Sequence, residues 1–248
     1  MSIQVRLLGA IELRVDGARV DLGPAKRRAL LAALALERNR PIGVDMLSRL
    51  LWTGAPPASA VPNIRNHVAG LRRVLDSRIL SHRHAYQLVL DAHELDVTEF
   101  QRLAGSGRRA VRAGDPAAAE PELAAALRIW RGPAGDGVAR GTELDQRLQG
   151  LDQHRLQVVE DLADVRLALG HAAGLVPLLR EHLAAQPLRE RAWAQLILAH
   201  YRAGDAGAAL AAYREADEVL RRQLGAGPGP DLVALRQAVL ERSPRLDG

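Results

Sequence analysis

Residues 62–75 read PNIRNHVAGLRRVL, and the fold turns on how that stretch is understood. Val61, Ile64, Val68, Leu71 and Leu75 step by three or four, the spacing of one face of an α-helix. Opposite them the same helix sets Asn63, Asn66, Gly70 and Arg73. Such a face is either a plain solvated surface or one that reads base edges in a DNA groove. Its neighbours in the chain decide between the two.

Toward the N-terminus the apolar period is two. Ile3, Val5 and Leu7, then Ile11, Leu13 and Val15, then Val20 and Leu22 alternate with polar residues, and Gly9-Ala10 and Asp16-Gly17 punctuate them. This predicts three short antiparallel strands. Gly23-Pro24 ends them, and Pro24 opens a helix over AKRRALLAALALE (25–37) from a favoured first-turn position. Asn39-Arg40-Pro41 breaks that helix. A second is expected from Val44 to Trp52, with Val44, Leu47, Leu50 and Leu51 inside and Trp52 packed in the core. After the GAPPASA loop, the third helix runs from about Ala58 to Leu75. ILSHR (79–83) and AYQLVL (85–90) form a hairpin across Arg83-His84. The order β-β-β-α-α-α-β-β, with two helices leading into a third and then a hairpin, is the winged form of the helix-turn-helix.

From Asp96 onward strand signals vanish and helical periodicity takes over. Asp96 is placed to N-cap the first of these helices. Val111-Arg112-Ala113-Gly114-Asp115 is echoed by Tyr201-Arg202-Ala203-Gly204-Asp205, and more loosely by Leu167-Ala168-Leu169-Gly170-His171. Glycine suits the left-handed end of one helix and aspartate caps the next. Gly170 and Gly204 are 34 residues apart, the tetratricopeptide period. Ala208, Ala209 and Ala212 allow close helix pairing, and 142–170 is long enough for one extended helix. The expected architecture is mainly α: a winged helix-turn-helix (α+β) in 1–95, then an all-α, tetratricopeptide-like domain of about seven antiparallel-paired helices in 96–248.

Composition narrows the chemistry. The chain has 248 residues, 48% of them hydrophobic, and no cysteine, which excludes disulfides, thiolate nucleophiles and Cys-ligated metals. Residues 1–95 carry 14 Lys/Arg against 8 Asp/Glu, whereas 96–248 carry 20 against 21. The whole positive excess lies in the first part, which points to an anionic partner there. No apolar run spans a bilayer. MSIQVRLLGAIEL has no signal-peptide pattern, so a cytoplasmic location is expected. G-x-S-x-G, H-E-x-x-H and phosphate-binding glycine loops are absent, and the carboxylate pairs Glu160-Asp161 and Asp217-Glu218 sit in amphipathic helical stretches. No catalytic residue, metal or cofactor is expected. His82 and His84 share a strand face but lack a third ligand.

If the third helix enters the major groove, with Ile64 at the centre of its buried side, Asn66 and Arg73 point away from the core and Asn63, Ser59 and Gly70 flank them. Asparagine pairs with adenine and arginine with guanine, so Asn63, Asn66 and Arg73 are the candidate base contacts. Arg65 and Arg72 lie nearer the edges, where phosphates are met. Arg27 and Arg28 at the start of the first helix, and His82 and Arg83 in the wing, complete the candidate backbone contacts.

An ordered set of stretches resembles the Streptomyces antibiotic regulatory protein family of transcriptional activators. These are VRLLGAIEL (5–13), KRRALLAALAL (26–36), LSRLLWTGAPPASA (47–60), VAGLRRVL (68–75), AYQLVL (85–90), LDVTEF (95–100), LRIWRGPA (127–134) and PLRERAWAQLILAHYRAGDAGAALAAYREADEVLRRQLGAGPGPDL (187–232). The resemblance covers nearly the whole chain. It implies an OmpR-type winged helix followed by a bacterial transcriptional activator domain. It also implies binding to direct repeats in double-stranded DNA near promoters of biosynthetic gene clusters, many of them for secondary metabolites. Recruitment of RNA polymerase holoenzyme and a homodimer, at least on DNA, follow from it too. With no G-x-x-x-x-G-K-[ST] run, the chain resembles the short class, which lacks the ATPase of larger relatives. It departs from the family at Gly70, where related chains carry arginine or another polar residue, leaving the middle of the outer face bare beside Ala69. It departs again at Ala85, where a glycine often precedes the wing aromatic, so a tight positive-φ wing turn is not expected there. Two other readings stay open: a helical-repeat interaction adaptor, and a regulator gated by a small ligand.

Overall fold

The computed structural model describes residues 2–138, 141–172 and 174–246. The alternating N-terminus forms a three-stranded antiparallel sheet of β1 (Ile3–Arg6), β2 (Glu12–Val15) and β3 (Ala18–Val20), with Ile3 opposite Val15 and Leu13 opposite Val20. Helix α1 (Ala25–Leu36) begins after Pro24, which stands at the N-cap and accepts the amides of Arg27 and Arg28. All of Ala29–Ala35 is buried, so α1 is the central helix of its unit. It ends where Arg38 and Asn39 take φ of 51° and 65°.

A two-residue strand, β4 (Ile42–Gly43), leads into α2 (Val44–Leu51) and α3 (Ala60–Leu75). The sequence offers no alternation over two residues, so β4 was not expected. β5 (Ile79–His82) and β6 (Ala85–Leu88) make the hairpin, and β4 adds to it in the order β4-β6-β5. The Arg83-His84 turn closes without a left-handed residue, so Ala85 needs no glycine there. Asn39 locks the strand end to α1: its Oδ1 accepts the Leu90 amide at 2.7 Å and its Nδ2 donates to the Leu90 carbonyl at 2.8 Å.

The described residues divide into two compact units, one within 1–103 and 125–155, the other within 104–124 and 156–248. Helices α4 (Asp96–Arg112), α5 (Pro116–Arg128) and α6 (Thr142–Ala168) each give residues to both. In the first unit the chain after α5 returns to the sheet. The amides of Arg131, Gly135 and Asp136 donate to the carbonyls of Leu8, Leu7 and Gly9 at 2.9, 2.8 and 3.1 Å. The Asp96 side chain does not serve as the expected cap of α4. Its oxygens accept the amides of Leu7 and Leu8 at 2.8–3.0 Å and meet Arg131 at 3.4 Å. Burial pushes the Asp96 carboxyl above its ordinary pKa despite those donors. Gly141 donates to the Leu50 carbonyl at 2.9 Å, and a Cβ there would collide with the carbonyl oxygens of Arg49, Trp52 and Leu50.

The second unit adds α7 (Leu175–Ala185), α8 (Glu190–Arg202), α9 (Ala206–Leu224) and α10 (Pro230–Leu240), so among the described residues α4–α10 stand where about seven helices were expected. The repeated Gly-Asp signal acts as read. Gly114 and Gly204 take φ of 75° and 83°, while Asp115 and Asp205 accept the amides of Ala118 and Ala208 at 2.9 and 2.7 Å. Ala209, Ala212 and Ala216 are buried on α9, which packs closely on α8. At the centre, the buried Glu160 carboxylate receives the Arg189 guanidinium and His182 Nε2 (3.3 Å).

Gly141→Ala forces backbone against backbone and is expected to cost about 2–4 kcal/mol in urea unfolding; an unchanged midpoint would contradict it. Burial alone would raise the Glu160 pKa, but the Arg189 and His182 hydrogen bonds outweigh it and hold the carboxyl down to about 2. A folded-state pKa below the unfolded one contributes stability that is full above about 4.5 and lost as pH falls toward 2. Acid titration is expected to remove on the order of 3 kcal/mol through this group, and Glu160→Gln should flatten that limb.

Candidate nucleic-acid interface

Helix α3 buries Ala60, Ile64, Val68, Leu71 and Leu75, the face the sequence assigned to the core, with Val61 half-buried beside them. The exposed residues are Pro62, Arg65, Asn66, Ala69 and Arg73. Relative to a point opposite Ile64, this arc is turned about 30° toward Arg65. Asn66 and Arg73 lie seven positions apart within it, as expected. Arg65 is exposed at one edge of the arc, where the sequence placed it. Asn63 is half-buried at the opposite edge, and its Nδ2 lies 3.4 Å from Ser59 Oγ.

Gly70 corrects the expectation most. It is buried rather than a bare outer position, because the Arg27 guanidinium from α1 lies across it. A Cβ on Gly70 would stand 2.5 Å from Arg27 Cζ and Nε and 2.7 Å from Nη2. Arg27 Nη1 donates to the Leu22 carbonyl at 3.2 Å, and Nε is buried without a hydrogen-bond partner among the described residues. Arg28 Nη1 donates to the Gly23 carbonyl at 2.5 Å. Lys26 donates to the Leu51 carbonyl and sits 5.3 Å above the Trp52 ring. Trp52 is therefore a half-buried platform for a cation rather than a core residue. Desolvation lowers the Lys26 pKa. On the same flank of α3, burial first, then Arg27 and Lys26, lower that of His67 and favour its neutral form.

The hairpin is braced to α3 by Arg72. Its Nε and Nη2 donate to the Ile79 carbonyl at 3.1 and 2.9 Å, and Nη2 to Ser81 Oγ at 2.7 Å. Beneath it, Arg78 grips the buried Glu94 carboxylate with two hydrogen bonds of 3.1 and 3.0 Å. Asp91, His93 and Glu94 bring ligand atoms within 4.8 Å of one another, but the Glu94 oxygens are committed to Arg78 and to the Asp91 amide. At the tip, Arg83 and His84 are exposed, and His82 Nε2 lies 2.9 Å from Gln87 Oε1. Tip and helix start are tied together where the Val44 amide donates to the His84 carbonyl at 3.0 Å.

The structure thus gathers Arg65, Asn66 and Arg73 on one open helical arc and leaves Arg83 open on the wing. It spends donors of Arg27, Arg28 and Arg72 on the protein's own carbonyls. The sequence shows the helix but not these brackets, since a guanidinium's partner across the fold leaves no periodic trace. The mid-helix glycine was the available signal for the Arg27 contact.

This build defines a winged-helix protein extended by a helical-repeat unit. Residues 95–240 match the family described as the bacterial transcriptional activator domain. The chain belongs to that family and, with its relatives, to the Streptomyces antibiotic regulatory protein type of transcriptional regulator. It is 31% identical over 257 residues to the regulatory protein DnrI of Streptomyces peucetius, covering 99% of this chain and 94% of DnrI. It is 35% identical over 247 residues to AfsR of Streptomyces coelicolor, covering 99% of this chain and 25% of AfsR. To the transcriptional regulatory protein EmbR of Mycobacterium tuberculosis the identity is 34% over 245 residues, covering 96% of this chain. The structure of Mycobacterium tuberculosis EmbR in complex with a low-affinity phosphopeptide superposes with a TM-score of 0.91 at 32% identity, covering 98% of this chain and 66% of that one. The chain spans 63% of the length of EmbR. Among the described residues, no helix is long and apolar enough to cross a membrane.

Arg72→Ala removes three hydrogen bonds between helix and wing. It is expected to cost about 1–3 kcal/mol and to speed amide exchange across Ile79–His82. Arg72→Lys should not restore protection, because one ammonium cannot reproduce the guanidinium's donor geometry.

Proposed function

We propose that the chain is a sequence-specific DNA-binding transcriptional activator. Residues 1–95 bind double-stranded DNA at direct repeats near promoters of a biosynthetic gene cluster, of the secondary-metabolite or antibiotic kind. Residues 96–248 pair protomers, contact RNA polymerase holoenzyme, or both. It works in the cytoplasm, without catalysis or a cofactor, and as a homodimer at least on DNA. The observation that carries this reading is the open arc of α3, in which Arg65, Asn66 and Arg73 stand clear of a helix anchored on its other side. The major groove, about 12 Å wide, admits one helix. Asn66, and Asn63 at the margin, suit adenine, and Arg73 suits guanine, while Arg65, Arg83 and His82 suit phosphates. Relatives named regulatory proteins support the same class.

Mobility-shift titration on promoters of the neighbouring genes, at stated salt, tests it. Specific duplexes are expected to bind at least about 10³-fold tighter than scrambled ones; equal binding would refute the reading. Asn66→Ala should lose about 1–3 kcal/mol of discrimination at one base pair, whereas Arg65→Ala should weaken all sequences and lower the salt slope by about one.

A second reading, control by a small ligand, rests on a groove of about 440 Å³ in the second unit. Val111, Pro116, Val165 and Ala168 line it, with Arg112 among its lining residues. A thermal shift with products of the regulated pathway tests that reading.

A further inference from the structure

Gly70 lies inside a 16-residue helix, where glycine is among the poorest choices. It is not needed for the backbone, since its φ is not in the left-handed region. What the missing side chain permits is the approach of Arg27. The guanidinium fills the volume a residue-70 side chain would start from, with Cζ, Nε and Nη2 all within 2.7 Å of the place of a Cβ. A second glycine makes room on the other side: a Cβ on Gly23, at φ +69°, would stand 3.2 Å from Arg27 Nη1. Nη1 is anchored on Leu22, and Lys26 is turned away to Leu51 and Trp52. That makes Arg27 the cation of α1 that reaches across to α3.

We propose that Gly70 is a seat for Arg27, and that the seated guanidinium contacts a DNA backbone phosphate beside Asn66. Resting on the DNA reading above, this makes the interface a composite of two helices. Residue 70 is one helical turn from Asn66 and adjoins the open arc, so a cation seated there meets the edge of the groove that α3 enters. The arm is held from behind by the Leu22 carbonyl, so its orientation is set before DNA arrives. On the same flank the pKa of His67 is lowered, by burial first and then by the charges of Arg27 and Lys26.

The test uses the full chain with a duplex carrying the neighbouring promoter's repeats and a scrambled duplex. Arg27→Ala should weaken both about tenfold and lower the salt slope by about one. Gly70→Ala displaces the flexible end of Arg27 and should reproduce that loss while Tm holds or rises, because alanine is the better helix former. The double variant Arg27→Ala/Gly70→Arg returns a cation to the seat and should recover the slope. Wild-type binding and slope in both single variants would overturn the proposal and leave the DNA reading intact. Loss of binding in Gly70→Ala only alongside a fall in Tm would also overturn it. A wild type that binds neither duplex would sink the DNA reading and the seat together.

Discussion

The first unit depends on one constraint: α1 is closed in along most of its length. Seven consecutive residues, Ala29–Ala35, have no outward face, so α2, α3 and the hairpin must pack around them. Small alanines let those neighbours approach closely, and Leu30, Leu31 and Leu34 fill the remaining space. Once α3 has laid Ile64, Val68, Leu71 and Leu75 into this packing, its rotation about its own axis is fixed. Which side chains reach outward is a consequence of that rotation and not of the outer residues themselves.

Polar brackets then fix what apolar packing leaves loose. Asn39 clamps the end of the hairpin to α1, Arg72 ties the wing to α3, and Arg78 grips Glu94 under the wing. Each bracket joins a polar side chain to backbone groups or a carboxylate across the fold. Hydrogen bonds to charged groups contribute more than neutral ones, and here they also set geometry. In the second unit Glu160 has the same role, joining α6 to α7 and to Arg189 at the start of α8.

Much of this was legible in the sequence, because periodicity reports burial directly. The β1–β3 sheet, α1–α3, the hairpin, the long α6 and the Gly-Asp helix ends all follow from spacing and turn chemistry. Three features escaped for physical reasons. β4 is too short to alternate. Asp96 carries an N-cap's sequence context, but its carboxylate serves Leu7 and Leu8, nearly ninety residues away in the chain. The outer face of α3 could be placed only to within about a third of a turn, because helical spacing does not say which neighbour overlaps its edge. Arg27 over Gly70 is that overlap, and it moved the open arc toward Arg65.

On the proposed reading this arc of α3 lies in the major groove. Guanine N7 is exposed only there, so methylation interference with dimethyl sulfate on the promoter repeats tests the claim most directly. Methylating N7 of one or two guanines in each repeat is expected to abolish binding, and Arg73→Ala to remove the interference at one of them. Interference confined to adenine N3 in the minor groove, or absent from both grooves, would contradict it.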